Sequence, residues 1–414
     1  MHMPGHKGKS FLGCEGYDLT EIPGADELYA PEGIIAESED NASSLFGCQT
    51  VYSTEGSSLA IRAMLYLAIA GKKGRQTILA GRNAHKVFLY SAALLDFDIQ
   101  WLCPDSNYHA CPVSAEELER AIELCRPCAV YLTSPDYLGN TVDIASAAEV
   151  CHRHGVLLLV DNAHGAYLRF LTPSRHPIDL GADMCCDSAH KTLPVLTGGA
   201  YLHSAQKRDL KSAMALFAST SPSYLILESL DLCNRYLEDE KVRLSEFLPE
   251  VEACRSQLLR LGVKLASDEP MKITVHASSM GYHGTELSDL LYKHGIQCEF
   301  ADPDYLVLMP TPENGTDGLR AITEAFSEIP VKKAEPSYTP HLRGINAVLT
   351  PRQAIFAPKE KIPVRSALGR ILADASVGCP PAIPIAICGE RIDEHAVSMF
   401  EYYGIEEVSV VIED

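Results

Sequence analysis

The sequence has no apolar run near the roughly 18 residues that cross a bilayer. Its first residues, Met1-His2-Met3-Pro4-Gly5-His6-Lys7, carry no apolar secretion segment. From these absences neither a membrane-spanning nor an exported protein is expected, and a cytoplasmic location is. Positive charge is also scarce. Lys and Arg number 35 against 55 Asp and Glu, a formal net charge of −20. That excludes nucleic acid and anionic membrane surfaces as expected partners, and it suits a cationic substrate. Cys125-x-x-Cys128 is a lone CxxC with no second pair at zinc spacing, so no metal centre is expected. The 14 cysteines, without an export route, read as reduced thiols. Cys185 and Cys186 are adjacent on a strand and face opposite sides as packing residues. There are no internal repeats and no low-complexity tract. A length of 414 residues allows two or three domains.

The features that are present centre on Asp187-Ser188-Ala189-His190-Lys191-Thr192-Leu193. Upstream, Gly181 to Cys186 reads as the end of a strand. Thirty residues earlier Val156–Val160 is another strand, ending in Asp161-Asn162-Ala163-His164-Gly165. Lys191 alone reads as a surface lysine beside a helix-capping serine. An acid at one strand end and Ser-x-His-Lys at the next together suit a pocket for pyridoxal phosphate. The acid keeps the pyridine nitrogen protonated, the lysine forms the Schiff base, and the serine grips the phosphate. A third stretch supports this. Thr54-Glu55-Gly56-Ser57-Ser58 stands between a short strand and an apolar helix, Leu59–Ile69. Backbone N–H groups at that helix start, and the helix dipole, favour an anion.

Strands and helices alternate through the first half. Helices are predicted at Ile34–Phe46, Ala84–Leu95, Ser114–Cys125 and Ile144–His154. Strands are predicted at Gln76–Ala80, Asp98–Cys103, Ala129–Thr133, Val156–Val160, Cys185–Asp187 and Gly199–His203. The alternation predicts an α/β fold with a mainly parallel sheet covered on both faces. Functional residues then belong at the strands' carboxyl ends, where Thr54, His85, Ser134, Asp161 and Lys191 all fall. Residues 204–248 read as helical, including Tyr224–Glu238. Further on, strands are predicted at Met271–His276, Gln297–Phe300 and Tyr305–Met309, and helices at Gly284–His294 and Gly315–Ser327. The resulting division is a large cofactor-binding domain (1–235), a small α+β domain (236–335), a linker over 331–340 and a C-terminal domain (341–414).

At this point a family resemblance emerges. His2 to Gly8 resembles an entry motif, and Asp26 to Ile34 a "DxLxxPxGxI" stretch. Arg82-Asn83-Ala84-His85-Lys86 is similar to "RNCHKS", Asp161 to Ala166 to "DEAHGAH", and Ser188 to Leu193 to "STHKxL". Gly369-Arg370-Ile371 and Pro380 to Glu390 resemble "GRI" and "PPGIPxxxPGE". In this order and spacing the chain resembles the bacterial Orn/Lys/Arg decarboxylases of the aspartate aminotransferase fold, the fold type I pyridoxal phosphate enzymes. It is similar to their short form, without the N-terminal wing domain, and begins at the entry motif.

The resemblance implies roles. Lys191 bonds the cofactor aldehyde and Asp161 pairs with the pyridinium nitrogen. Ala163 packs on one ring face and His85 stacks on the other. Thr54, Glu55, Gly56 and Ser57, with Ser188 and His190, hold the phosphate. His164 lies near the reacting carbon. The substrate amine displaces Lys191, CO2 leaves, and Lys191 or His164 protonates Cα. The substrate class implied is a basic amino acid: arginine, lysine or ornithine. The resemblance also implies a homodimer or higher homo-oligomer and a role in polyamine metabolism. The alternative is an aminotransferase or lyase of the same fold, and a non-enzymatic relative is a third reading. An aminotransferase usually fixes the α-carboxylate with a small-domain arginine, and residues 270–312 contain none. Intact Lys191 and Asp161 speak against the third reading. The chain departs from the pattern at Thr197-Gly198-Gly199, at Ser134-Pro135-Asp136-Tyr137, at Tyr167, and at Ala382 and Cys388. The two glycines are expected to enlarge or reshape the pocket.

Overall fold

The computed structural model describes residues 2–102, 109–333, 346–377 and 383–413. The chain opens with α1 (Ile34–Phe46), β1 (Gln49–Ser53), α2 (Gly56–Ile69), β2 (Thr77–Gly81), α3 (Lys86–Leu95) and β3 (Asp98–Leu102). Next come α4 (Ala115–Cys125), β4 (Ala129–Thr133), α5 (Ile144–Arg153), β5 (Leu157–Asp161), β6 (Met184–Asp187), α6 (Ala189–Thr192) and β7 (Ala200–Ser204). Then follow α7 (Leu210–Ala215), α8 (Tyr224–Glu238), α9 (Glu240–Arg260), β8 (Ile273–His276), α10 (Gly284–Lys293), β9 (Phe300–Ala301), β10 (Tyr305–Leu308) and α11 (Gly315–Glu328). The chain closes with α12 (Pro351–Phe356), β11 (Lys359–Pro363), β12 (Ser376–Val377), β13 (Ala386–Ile387), α13 (Glu394–Tyr402) and β14 (Glu407–Val411).

Seven strands form one sheet in the order β1-β7-β6-β5-β4-β2-β3. β2 pairs with β3, and β5 with β6, in parallel, while β7 runs against both neighbours, β6 and β1. The strands of the middle are apolar on both faces. Leu158, Leu159, Val160, Met184, Cys185 and Cys186 are all fully buried, as expected of a sheet covered on both sides. The α/β class with a mainly parallel sheet is therefore observed.

The chain folds as two compact units. The first comprises Met1–Lys73, Cys128–Val130 and Ile144–Leu244. Here α1 packs on β1 and α8, and α2 packs on β6 and β7. The second comprises Gly74–Pro127, Tyr131–Asp143 and Ser245–Asp414. It holds the antiparallel sheet β8-β10-β9 and the pairs β11–β14 and β12–β13. Its α4 is held by the expected capping box, with Ser114 and Glu117 satisfying each other's backbone N–H.

Two expectations need correction. Helix α2 starts at Gly56, three residues before the expected Leu59. Gly56 has φ +69°, a turn that glycine makes at little cost, and Ser57 and Ser58 already lie in the first turn. The strand expected at Gln297–Phe300 is only Phe300–Ala301. The Asp302 carboxylate accepts the N–H groups of Asp304 and Tyr305, and this turn fixes where β9 can pair with β10. Cys103, most of the expected linker (334–340) and residues 380–382 of the C-terminal motif lie outside the described residues. No helix among the described residues is long and apolar enough to cross a membrane, and the 12 described cysteines are all free thiols.

Candidate active site

In the first unit the parallel pairing of β5 and β6 sets Asp161 opposite Cys186. The two strand ends therefore deliver Asp161 and the Ser188–Lys191 turn side by side. The Lys191 Nζ lies 3.0 Å from Nε2 of His164. With the amine donating, Nε2 is the acceptor. Asp161 is buried, and its Oδ1 accepts the Ala163 N–H at 3.2 Å and the Cys186 thiol at 3.7 Å. These bonds point the carboxylate along the strand end. Ala163 and His164 are buried beside it. The Cys186 thiol is pushed well above its ordinary range by burial, with Asp161 adding to the effect, so it stays a protonated donor.

The loop at residues 54–58 meets the Lys191 turn directly. Ser188 Oγ donates to Ser57 Oγ at 2.9 Å. The Gly56 N–H, one of the amides expected to face a phosphate, instead donates to the Gly198 carbonyl at 2.7 Å. Ser57 and Ser58 continue the helix start. The Glu55 carboxylate accepts the Ser219 N–H at 2.8 Å, and its own N–H donates to Ser53 Oγ. His190 Nδ1 donates to the Gly199 carbonyl at 2.9 Å, which fixes the ring against the glycine loop. Thr54 is buried.

The two glycines bring these loops together. Gly198 has φ +104°, and a Cβ there would lie 3.0 Å from the Thr54 carbonyl oxygen. A Cβ on Gly199 would stand 2.2 Å from Val195 Cγ1. Gly198 therefore permits a close approach to the Thr54 backbone, and Gly199 leaves room for the Val195 side chain.

The second unit holds His85, Ser134 and Asp136. His85 is the N-cap of α3, its Nδ1 accepting the Val87 N–H at 3.3 Å, so Nε2 carries the proton. Ser134 Oγ accepts the Val142 N–H. Asp136 is buried, and burial pushes its carboxyl up to about 6 despite two bonds from Asn140. A cavity of about 350 Å³ there is lined by Asn83, Cys111, Thr133, Asp136, Asn140 and Asp268.

Sequence reasoning missed a network beneath the first unit's site. Asp187 Oδ2 accepts Nε2–H of His176 and of His203, each at 3.1 Å. Asp187 Oδ1 accepts Asn162 Nδ2 at 2.7 Å. All four residues are fully buried. Burial alone would raise the Asp187 carboxyl, but the two imidazoles outweigh it and hold it well below its usual range. Asp187 immediately precedes Ser188 and Asn162 immediately follows Asp161, so one carboxylate ties the two strand ends together. This is the one cluster among the described residues with three potential metal ligands, and its convergence is accounted for by hydrogen bonding. The available sequence signal was Asp187 itself, a charged residue ending an otherwise buried strand.

An amine, a buried carboxylate on the adjoining strand end and a pair of touching hydroxyls match the aldehyde, pyridine nitrogen and phosphate of pyridoxal phosphate. The comparisons with known proteins agree. The model of the Orn/Lys/Arg decarboxylase major domain matches residues 10–275, and that of its C-terminal domain matches residues 334–409. The chain belongs to the Orn/Lys/Arg decarboxylase family. Membership brings pyridoxal phosphate as cofactor and amino-acid decarboxylation as reaction class, so decarboxylation stands over the aminotransferase alternative. A protein of Bacillus subtilis named arginine decarboxylase is 29% identical over 437 residues, covering 96% of this chain and 89% of that protein. One of Halalkalibacterium halodurans with the same name is 26% identical, covering 95% and 88%. In fold, the chain is similar to the lysine decarboxylase of Francisella novicida (TM-score 0.82, 17% identity, 100% of this chain and 79% of that one).

Proposed function

We propose that this family member decarboxylates a basic amino acid, releasing CO2 and the corresponding amine, with arginine the first candidate. The reading is carried by the Lys191–His164 contact beside the buried Asp161. Near full-length similarity to proteins named arginine decarboxylase supports the substrate class, and so does the surplus of acidic residues.

Bound pyridoxal phosphate supplies an electron sink for the charge left on Cα when CO2 departs. The protein's own groups do the rest. Asp161 keeps a negative charge where the pyridine nitrogen binds, which holds a proton there. Lys191 is the covalent anchor and, with His164, the carrier of the proton that returns to Cα. Thr54, Ser57, Ser188 and His190 line the phosphate end, chiefly through hydroxyls and the amides that follow Gly56 at the α2 start, while Glu55 and Gly56 shape the loop through their own bonds to Ser219 and Gly198. Ala163 borders the ring, and the family resemblance gives His85 the same role. A site that desolvates the α-carboxylate favours its loss over retention, because the transition state carries less localised charge than the bound substrate. We read residues 1–235, 236–335 and 341–414 as the large, small and C-terminal domains of a cytoplasmic homodimer in polyamine metabolism.

The test is a panel of arginine, lysine, ornithine and smaller amino acids with purified protein, CO2 being the readout. A basic amino acid is expected to lead. Borohydride should abolish the visible band and leave a reduced cofactor on the Lys191 peptide. Amino transfer to a keto acid without CO2 release would refute the reading.

A further inference from the structure

A cavity of about 790 Å³ opens between α1 and α8, within the first unit. Small-ligand pockets span roughly 300–1,000 Å³. Its described lining residues include neither Lys191 nor Asp161, so it lies apart from the cofactor site.

Three buried polar side chains form its floor: Ser38 of α1, Tyr52 of β1 and Asn234 of α8. Their donors are spent on one another and on Asp231. Tyr52 Oη donates to the Ser38 carbonyl at 3.0 Å, and Ser38 Oγ donates to Asp231 Oδ1 at 2.6 Å. Asn234 Nδ2 donates to the Ser38 carbonyl at 3.0 Å and to Tyr52 Oη at 2.8 Å. The reverse amide orientation would set an oxygen against that carbonyl. Burial pushes the Tyr52 phenol well above its ordinary range, so the hydroxyl stays a protonated donor. What remains on the floor is acceptor only. Asn234 Oδ1 has no partner although the residue is only 6% exposed, and Asp231 keeps a second carboxylate oxygen. A buried acceptor without a donor is costly, and native structures leave few of them.

The charge around the floor has one dominant sign. Among the described lining residues, the carboxylates of Glu37, Glu228, Asp231 and Glu238 stand against one guanidinium, that of Arg235. Glu228, Asp231 and Glu238 recur at helical spacing and share one face of α8. Ile35, Leu45 and Leu227 supply apolar wall between them. An ammonium group offers three donors and no acceptor, which complements this floor. An anion would meet acceptors and negative charge, and a bare metal ion would leave the apolar wall unused.

We propose that this cavity is a binding site for a linear diamine or polyamine. One ammonium group meets Asp231 and the Asn234 amide oxygen. The methylenes lie along Ile35, Leu45 and Leu227, and the far ammonium group meets the exposed carboxylates of Glu228 and Glu238. Those exposed charges add little singly, so the half-buried Asp231 contributes most. The site draws on none of the groups assigned to decarboxylation.

The experiment is calorimetric titration of the holoenzyme with 1,4-diaminobutane at low ionic strength. The protein is first reduced with borohydride, so that an added amine cannot bond the cofactor. One saturable site per chain is expected. Asp231→Asn should raise its Kd about fivefold. Glu149→Gln, the same charge change on the exposed face of α5, should alter it less than about twofold. Asn41 is an exposed lining residue of α1, and Asn41→Lys adds a competing ammonium that should weaken binding about tenfold. Should Asp231→Asn be too unstable to purify, Asn41→Lys carries the same comparison. Mg²⁺, equal in charge to the diamine and present at the same concentration, should leave the Kd within about twofold. The proposal is overturned by no saturable binding up to about 10 mM, by equal weakening in the cavity and α5 variants, or by displacement of the diamine by Mg²⁺.

Discussion

Asp187→Asn is the most informative single change in the first unit. The carboxylate serves three fully buried donors: His176 Nε2–H, His203 Nε2–H and Asn162 Nδ2. An asparagine keeps the shape but offers one oxygen and one NH2 group. At least one buried donor then faces another donor, which costs about 1–3 kcal/mol. The surviving bonds also lose their charge assistance, each weaker by roughly 1 kcal/mol. The total is about 3–5 kcal/mol, comparable to breaking a buried pair. For a chain of this size that corresponds to a melting temperature lower by roughly 3–6 °C. Cofactor affinity should fall in parallel, because Asp187 adjoins Ser188 and Asn162 adjoins Asp161. The pH dependence has a defined sign. A carboxyl held below its unfolded value contributes stability above about pH 4 and loses it as pH falls further. The gap between parent and variant should therefore narrow on acidification. Calorimetry between pH 3 and 7, with and without excess pyridoxal phosphate, measures both quantities. A variant melting within about 2 °C of the parent at pH 7, with unchanged cofactor affinity, would refute the network's role.

Three further outcomes are expected. Lys191→Ala should abolish turnover and leave no cofactor band that borohydride can fix to the chain; retained activity would remove the central assignment. Asp161→Asn should bind pyridoxal phosphate but turn over about a hundredfold more slowly, measured as CO2 release at saturating substrate. Asp302→Asn should stabilise the protein at neutral pH and above. Burial pushes the Asp302 carboxyl from 3.8 up to about 7, with Asp304 adding to the rise. The folded state then holds a proton that the unfolded chain has lost, so stability falls as pH rises from about 4 to 7. The penalty is at most about 4 kcal/mol. Thermal unfolding should show the variant's advantage at pH 8 and little of it at pH 5.

The sequence made the strand ends legible because a buried strand and a functional turn look different in composition. Val156–Val160 is wholly apolar and stops at Asp161, and the structure ends β5 at that acid. Helix α8 falls on Tyr224–Glu238 as expected, since its apolar residues recur at helical spacing. The α2 start was misplaced because Ser57 and Ser58 read equally as turn or as first-turn residues. Gly198 and Gly199 were legible as departures, but their purpose was not. Only the Thr54 carbonyl and the Val195 side chain, brought close by the fold, show why a side chain is excluded at both positions.

What stayed hidden were the buried charge networks whose partners lie far apart in sequence. His176, Asp187 and His203 carry no recognisable spacing, because each comes from a different segment and only the β6–β7 register brings two of them together. Cys185 pairs with His203 in that register, so Asp187, two residues along the same face of β6, can reach the same imidazole. Arg82 Nη2 donates to Glu390 Oε2 at 2.8 Å with both side chains buried, and each belongs to a motif, yet nothing in either motif names the other. The same physical reason covers both cases. A buried charge must find a partner, but a linear pattern records only that the charge is there. The partner's identity is written in the topology, and the polar residues that a sequence leaves unexplained inside apolar strands are where long-range pairs should be sought first.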